Sequence, residues 1–307
     1  MTAPWTLEPF AVLDGGLASE LAVRGHDLAD PLWSAKVLLE DPAAVAAVHH
    51  DYLEAGADVI TTASYQASLP GLAARGLSQA RALELLRDAV GIARRCCVAV
   101  GGTRPRVVVA SAGSYGAARA DGSEYTGHFD DVDDAALVAF HRERLPGFVD
   151  ADAIAFETIA SARECAAIAR ALADHRGPPA WLSLVCRDGA HSGSGDTLRA
   201  CARATADCHA IAALGINCTA PAVATAALAQ LAAVDPRPLV VYPNAGQPYD
   251  AAHRCFVGAP ATPSAFARDA EVWLRTGARV VGGCCETTPA HVRALAALRD
   301  AATPHRL

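Results

Sequence analysis

The chain has 307 residues, 52% of them hydrophobic and 19% charged, enough apolar material to bury a sizeable core, which excludes a largely disordered protein. A net charge of −7 with no cluster of Lys or Arg argues against a phosphate backbone as partner, so no nucleic acid is expected. Mean hydropathy is +0.20, yet no uncharged apolar run reaches the roughly 18 residues of a membrane span, and no membrane association is expected. The segment Met1 to Phe10 lacks a basic stretch followed by an apolar core of the signal-peptide kind, so a cytoplasmic location is expected.

From the N-terminus, short apolar runs alternate with Ala/Leu-rich helical stretches. The pattern predicts a strand over Ala11 to Leu13, a helix over Pro42 to Ala55, then strand Asp58 to Ala63 and helix Ser78 to Val100. Strand Arg106 to Ala112, helix Val132 to Val149, strand Ala153 to Phe156 and helix Ile159 to Asp174 follow. Next come strand Ala180 to Cys186, helix Thr197 to Asp207, strand Ala212 to Ile216 and helix Pro221 to Val234. Strand Pro238 to Tyr242, helix Ser264 to Thr276, strand Ala278 to Val281 and helix Pro289 to Ala301 complete the series. Asp41-Pro42, Thr288-Pro289 and Pro221 behind Thr219-Ala220 supply cap and first-turn signals.

Continuous rather than alternating hydrophobicity in the strands suits parallel strands covered on both faces. Eight βα units point to a (β/α)8 TIM barrel in the α/β class, one domain over residues 1–307. A doubly wound sheet shares the alternation, but the chain has neither G-x-G-x-x-G after the first strand nor a G-x-x-x-x-G-K-[ST] loop. Ser114 to Asp131 and Asp188 to Asp196 read as long βα loops at the barrel mouth.

On a barrel the polar residues at the C-terminal strand ends form the active site. They include Asp14-Gly15-Gly16, Thr61 to Gln66, Ser111 to Tyr115, Glu157-Thr158, Asn217-Cys218, Asn244 and Cys284-Cys285. Cys218, Cys284 and Cys285 come from the sixth and eighth strands. Three thiolates make a soft site suited to Zn²⁺, with a fourth position left open. A buried-hydrophobe role is the ordinary alternative for any single cysteine, and a vicinal Cys284–Cys285 disulfide is disfavoured by strain and compartment. Cys96, Cys97, Cys165, Cys186, Cys201, Cys208 and Cys255 read as core or surface residues. Glu157 needs a cation if buried in the mouth, and a substrate ammonium would serve. Asp14, before two glycines small enough to admit a ligand near the backbone, reads similarly, with a turn-forming Asp-Gly as the alternative.

Along nearly its whole length the sequence resembles the homocysteine S-methyltransferase family, specifically its short members that use S-methylmethionine or S-adenosylmethionine. The resemblance rests on Leu13 to Leu21, Asp30 to Lys36, Ile60 to Gln66, Ala120 to Tyr125, Phe156-Glu-Thr158, Gly215-Ile-Asn-Cys218, Val241-Tyr-Pro-Asn244 and Gly282-Gly-Cys-Cys-Glu-Thr-Thr-Pro289. It implies catalytic zinc on Cys218, Cys284 and Cys285, with homocysteine between the metal and Asp14, Gly15, Gly16 and Glu157. The sequence departs from the family pattern at Ser114, where Gly-Pro-Tyr-Gly is expected, and at Gly195-Asp196-Thr197, where Asp-Gly-Thr is expected.

The chemistry agrees. A zinc-bound thiol ionises near neutral pH and stays nucleophilic on an electron-rich trithiolate site. The expected partners are homocysteine and a sulfonium donor, whose methyl group is attacked in line, a reaction that depends on positioning. Trp33 and Tyr65 offer cation-π faces to that donor, with core packing as the alternative, and Asn244 is placed among the substrate contacts. Betaine as donor, or selenocysteine or selenohomocysteine as acceptor, are alternatives on the same barrel. A Schiff-base lyase would need a lysine at a strand end, and the only lysine, Lys36, lies outside the strands. The non-catalytic alternative is a zinc-thiolate redox-sensing module.

Overall fold

The computed structural model describes residues 2–247, 249–250 and 255–302. Eight parallel strands, separated by helices, form a (β/α)8 barrel: β1 (Ala11–Val12), β2 (Val59–Thr61), β3 (Val107–Gly113), β4 (Ala153–Ile159), β5 (Ala180–Leu184), β6 (Ile211–Asn217), β7 (Leu239–Tyr242) and β10 (Ala278–Val281). A small antiparallel hairpin, β8 (Tyr249–Asp250) with β9 (Cys255–Phe256), interrupts the β7-to-β10 connection. The hairpin was not among the predicted elements.

Hydrogen bonds run in the order β1-β10-β7-β6-β5-β4-β3-β2. The ring closes through a parallel bridge between Leu13 and Val59, where the Asp14 N–H donates to the Val59 carbonyl at 3.0 Å and the Asp58 N–H donates to the Val12 carbonyl at 2.7 Å.

The helices are α1 (Leu17–Val23), α2 (Ser34–Glu40), α3 (Pro42–Glu54), α4 (Leu69–Ala74), α5 (Gln79–Val100), α6 (Tyr115–Arg119), α7 (Asp134–Arg142), α8 (Ala162–Ala171), α9 (Leu198–Arg203), α10 (Pro221–Ala232), α11 (Pro263–Thr276) and α12 (Pro289–Ala302). Asp41 caps α3 as its sequence announces, accepting from the Ala44 N–H. The short helices α1, α2, α4 and α6 were not anticipated. All four lie in loops that follow strands, and five to seven residues give too few turns for a periodic signal. Ser114, one of the departures from the family pattern, caps α6 by accepting from the Ala117 N–H. The predicted helix from Val132 stops at Arg142 and passes into a 3₁₀ turn at Leu145–Gly147, where Pro146 breaks the pattern. None of the described helices is long and apolar enough to cross a membrane.

Side chains alternate across the strands into two buried layers. Ala11, Leu13, Val59, Val107, Val109, Ala153, Ala155, Trp181, Ala213, Val240, Tyr242 and Val280 fill the barrel interior. Val12, Ile60, Val108, Ile154, Phe156, Leu182, Ile216 and Val281 pack outward under the helices. Both faces are apolar, which explains the continuous hydrophobic runs.

At the N-terminal end of the β1–β2 seam, the fully buried Asp58 accepts from the Val12 N–H at 3.0 Å, Arg299 Nη1 at 2.7 Å and Arg104 Nε at 2.8 Å. Asp58→Ala deletes the carboxylate that faces two guanidinium groups, an uncompensated change expected to destabilise the fold by about 3–5 kcal/mol. Urea denaturation measures it. A loss below about 1 kcal/mol would mean that the backbone bridges alone hold the seam.

Candidate active site

Cys218, Cys284 and Cys285 converge at the C-terminal rim, their sulfurs all within 4.8 Å of one another and Cys218 Sγ 3.6 Å from Cys285 Sγ. Two sulfurs bound at 2.3 Å to a tetrahedral zinc stand about 3.8 Å apart, so the trio is spaced to share one ion. Cys218 follows β6 in a left-handed conformation (φ 48°) that swings its thiol off the strand line. The second loop is threaded against its neighbours. The Gly283 N–H donates to the Asp14 carbonyl at 3.0 Å, the Cys284 N–H to Pro243 O at 2.7 Å, and the Ala245 N–H to Cys285 O at 3.0 Å. A Cβ on Gly283 would come within 2.1 Å of Thr287 Oγ1, and one on Gly282 within 2.5 Å of Leu13 Cβ, so the Gly-Gly ahead of the cysteines is a packing requirement. Hydrogen bonds from the Cys284 and Cys285 thiols hold Cys218 well below the usual thiol range, and the same bonds to Cys218 raise the other two.

Glu157 lies within β4 rather than after it, because the strand continues to Ile159. Its interior-facing side chain accepts from Ser111 Oγ and from Tyr242. Desolvation pushes its carboxyl up to about 7, a rise the Cys218 charge reinforces and the Ser111 and Tyr242 hydrogen bonds oppose. Asp14, also buried, accepts from the Thr61 N–H at 2.7 Å and from Thr61 Oγ1 at 3.0 Å, and burial raises it well above the ordinary carboxylate range. Each carboxylate feels a neighbouring negative charge, Asp14 that of Glu157 and Glu157 that of Cys218. An incoming ammonium would relieve both.

The residue after Glu157 departs from regular strand geometry. Thr158 has φ 59°, and the pairing register between β4 and β5 shifts there. Thr158 is pinned by Asn217, whose Oδ1 accepts from the Thr158 N–H at 2.8 Å while Nδ2 donates to Thr158 Oγ1 at 2.9 Å. The bulge returns Ile159 to the outer layer beside Ile154 and Phe156. Such strain in a β-branched residue costs about 1–3 kcal/mol and persists only where the surroundings impose it.

Gly15 and Gly16 occupy the first strand end, and packing alone requires them to be small. A Cβ on Gly15 would meet Thr287 Oγ1 at 2.8 Å and the Tyr52 ring at 2.9 Å, and one on Gly16 would meet the Cys284 carbonyl at 2.8 Å. They let the first loop lie against the cysteine loop. Asn244 turns Oδ1 into its own loop to accept from the Gly246 N–H at 2.9 Å, while its N–H donates to Thr219 O at 3.2 Å. Those contacts tie the loop after β7 to the loop that carries Cys218. Trp33, before α2 with φ 45°, and Tyr65, beyond β2, form an edge-to-face pair with centroids 6.3 Å apart. The Tyr65 hydroxyl is hydrogen-bonded to Thr158, which ties this pair to the β4 bulge.

Sequence periodicity does not single out Tyr125, on an irregular segment after α6, yet its Oη lies 3.7 Å from Cys218 Sγ. Tyr242 hides in an apolar strand and emerges as the link between Glu157 and Trp181, whose Nε1 donates to its hydroxyl at 3.0 Å. At the other departure from the family pattern, Asp196 Oδ2 accepts from the Ala162 N–H at 2.8 Å and fastens the loop to α8. Cys96, Cys97, Cys165, Cys186, Cys201 and Cys208 are free thiols away from the trio, and the side chain of Cys255 lies outside the described residues.

Residues 11–298 match the family model described as homocysteine S-methyltransferase. Homocysteine S-methyltransferase 4 of Zea mays is 45% identical over 95% of this chain and 90% of its own length. A selenocysteine Se-methyltransferase of Brassica oleracea is 41% identical over 93% of this chain and 88% of its own. The crystal structure of the Escherichia coli homocysteine methyltransferase MmuM in its metallated form superposes with a TM-score of 0.83 at 41% identity, covering 95% of this chain and 96% of that one. By sequence and by fold, the chain belongs to the homocysteine S-methyltransferase family of enzymes.

Proposed function

We propose that this enzyme transfers a methyl group to homocysteine from a free sulfonium, S-methylmethionine ahead of S-adenosylmethionine, with one zinc held by Cys218, Cys284 and Cys285. One observation carries the reading: three sulfurs within 4.8 Å of one another share the barrel mouth with two buried carboxylates whose ionisation is suppressed. The three-sulfur donor set is soft, has the spacing of a tetrahedral site, and leaves a fourth position for a thiol. Bound there, zinc supplies Lewis acidity that lets the acceptor thiol react as a thiolate.

The remaining work falls to the chain's own residues. Glu157, oriented by Ser111 and Tyr242, accepts from the homocysteine ammonium, and Asp14 adds a second negative charge to that end of the site. Burial of both in the barrel interior strengthens the attraction. Trp33 and Tyr65 present aromatic surface to the donor cation. The thiol proton has left before transfer. The acceptor sulfur then forms a bond to the methyl carbon as the carbon–sulfonium bond breaks, and the electron pair of that bond stays on the donor sulfur as a neutral thioether. No proton moves in this step, so positioning dominates catalysis. A sulfonium is a better leaving group than the ammonium of betaine.

Cys218→Ser is expected to lose metal and activity together while the barrel stays folded. Elemental analysis and circular dichroism of the purified variant test this, and full zinc occupancy with unchanged turnover would refute the ligand assignment. Glu157→Gln removes a charge-assisted hydrogen bond of about 1.5–3 kcal/mol, so the homocysteine KM should rise roughly 10- to 150-fold with zinc retained. Unchanged homocysteine kinetics would exclude the ammonium contact. Against a panel of donors, the zinc-loaded enzyme should convert S-methylmethionine plus homocysteine to two methionines per turnover. Faster transfer from betaine or methyltetrahydrofolate would overturn the donor reading.

A further inference from the structure

A third carboxylate faces the mouth, from the segment that follows α6. The Glu124 backbone is fixed by close packing: a Cβ on Gly116 would stand 2.4 Å from Glu124 N, the Ser123 N–H donates to Asp121 Oδ1 at 3.0 Å, and the Gly127 N–H donates to Ser123 O at 2.7 Å. The side chain is therefore delivered by a closely packed, hydrogen-bonded turn. Its carboxylate is held on one side by the backbone amides of Gly122 and Glu124 itself, while Oε2 is buried without a hydrogen-bond partner.

Glu124 lies within electrostatic reach of Tyr65 and of Cys218. Among charged neighbours, Glu124 acts most strongly on Tyr65, the aromatic partner of Trp33, and Glu124 in turn feels the negative charge of Cys218. Tyr125, next in sequence, reaches Cys218 Sγ. Asp14 and Glu157 are engaged by Thr61, Ser111 and Tyr242, so Glu124 is the carboxylate of the three with an oxygen left open. Burial pushes its carboxyl up to about 7. A buried carboxylate oxygen without a partner is costly and is stabilised most by a cation.

We propose that Glu124 is the counter-ion that selects the cationic methyl donor, its Oε2 meeting the donor's positive charge beside the Trp33–Tyr65 ring pair. The assignment rests on the sulfonium reading above. It divides the mouth by charge, with Asp14 and Glu157 for the acceptor's ammonium and Glu124 for the donor.

The test is a KM split with a direct binding readout. In zinc-loaded Glu124→Gln, the S-methylmethionine KM should rise about tenfold or more, as should its Kd by calorimetry without acceptor, while the homocysteine KM stays within twofold and the metal content is unchanged. Glu124→Asp should recover part of the donor affinity, and it carries the comparison if the glutamine variant folds poorly by circular dichroism. A folded variant with unchanged donor KM and Kd, or one whose homocysteine KM rises as much as its donor KM, overturns the role of Glu124. A wild-type enzyme that methylates homocysteine from no sulfonium would sink the donor reading itself, a result visible before any variant is compared.

Discussion

The site depends on how the barrel closes. β1 has two residues, and its junction with β2 rests on one bridge and a few backbone hydrogen bonds. Those bonds set the first strand end between the second and the last, so that the Asp14 side chain reaches Thr61 while its carbonyl receives the Gly283 N–H. One residue therefore joins the acidic end of the mouth to the loop that carries Cys284 and Cys285. A short strand suffices because Asp58 and its guanidinium partners lock the opposite end of the same seam.

Groups that can carry negative charge are concentrated above an apolar plug. Val109, Ala155, Trp181 and Tyr242 occupy the barrel interior, and directly beyond them stand Ser111, Glu157 and the thiols. Water screens poorly there, so each added anion raises the cost of the next. The arrangement is unfavourable when empty of cations and strongly attractive to them. Several mouth residues also hold left-handed backbone, Trp33, Thr158, Cys218 and Glu286 among them. Strain and charge fall together where the polypeptide must present chemistry rather than merely pack.

Much of this was legible in the sequence. The eight strands appear as apolar runs because both of their faces are buried, and the three cysteines stand at strand ends where barrel geometry sends side chains to a common rim. What escaped is what periodicity does not encode. Glu157 was marked, but the bulge beside it was not, because Phe156-Glu-Thr158 gives no sign that β4 runs on to Ile159 with Thr158 at φ 59° under the hold of Asn217. Gly15 and Gly16 are constrained by Tyr52, Thr287 and the Cys284 carbonyl, contacts between residues distant in sequence. The side-chain oxygen of Asn244 closes a turn within its own loop, a contact that its place at a strand end does not announce. Tyr125 lies on an irregular segment whose position depends on the loop after β5.

That last dependence reaches into evolution. Gly193 is a glycine because a Cβ would lie 2.2 Å from the Tyr125 carbonyl, and Gly127 fits in turn against Ser161 and Ser194. The loops after β3 and β5 are thus interlocked, and one of them carries the hydroxyl that touches Cys218. Substitutions that reshape either loop will be epistatic with the other. A lineage reshaping one loop must adjust the other to match, and the order in which mutations arrive decides which routes stay open.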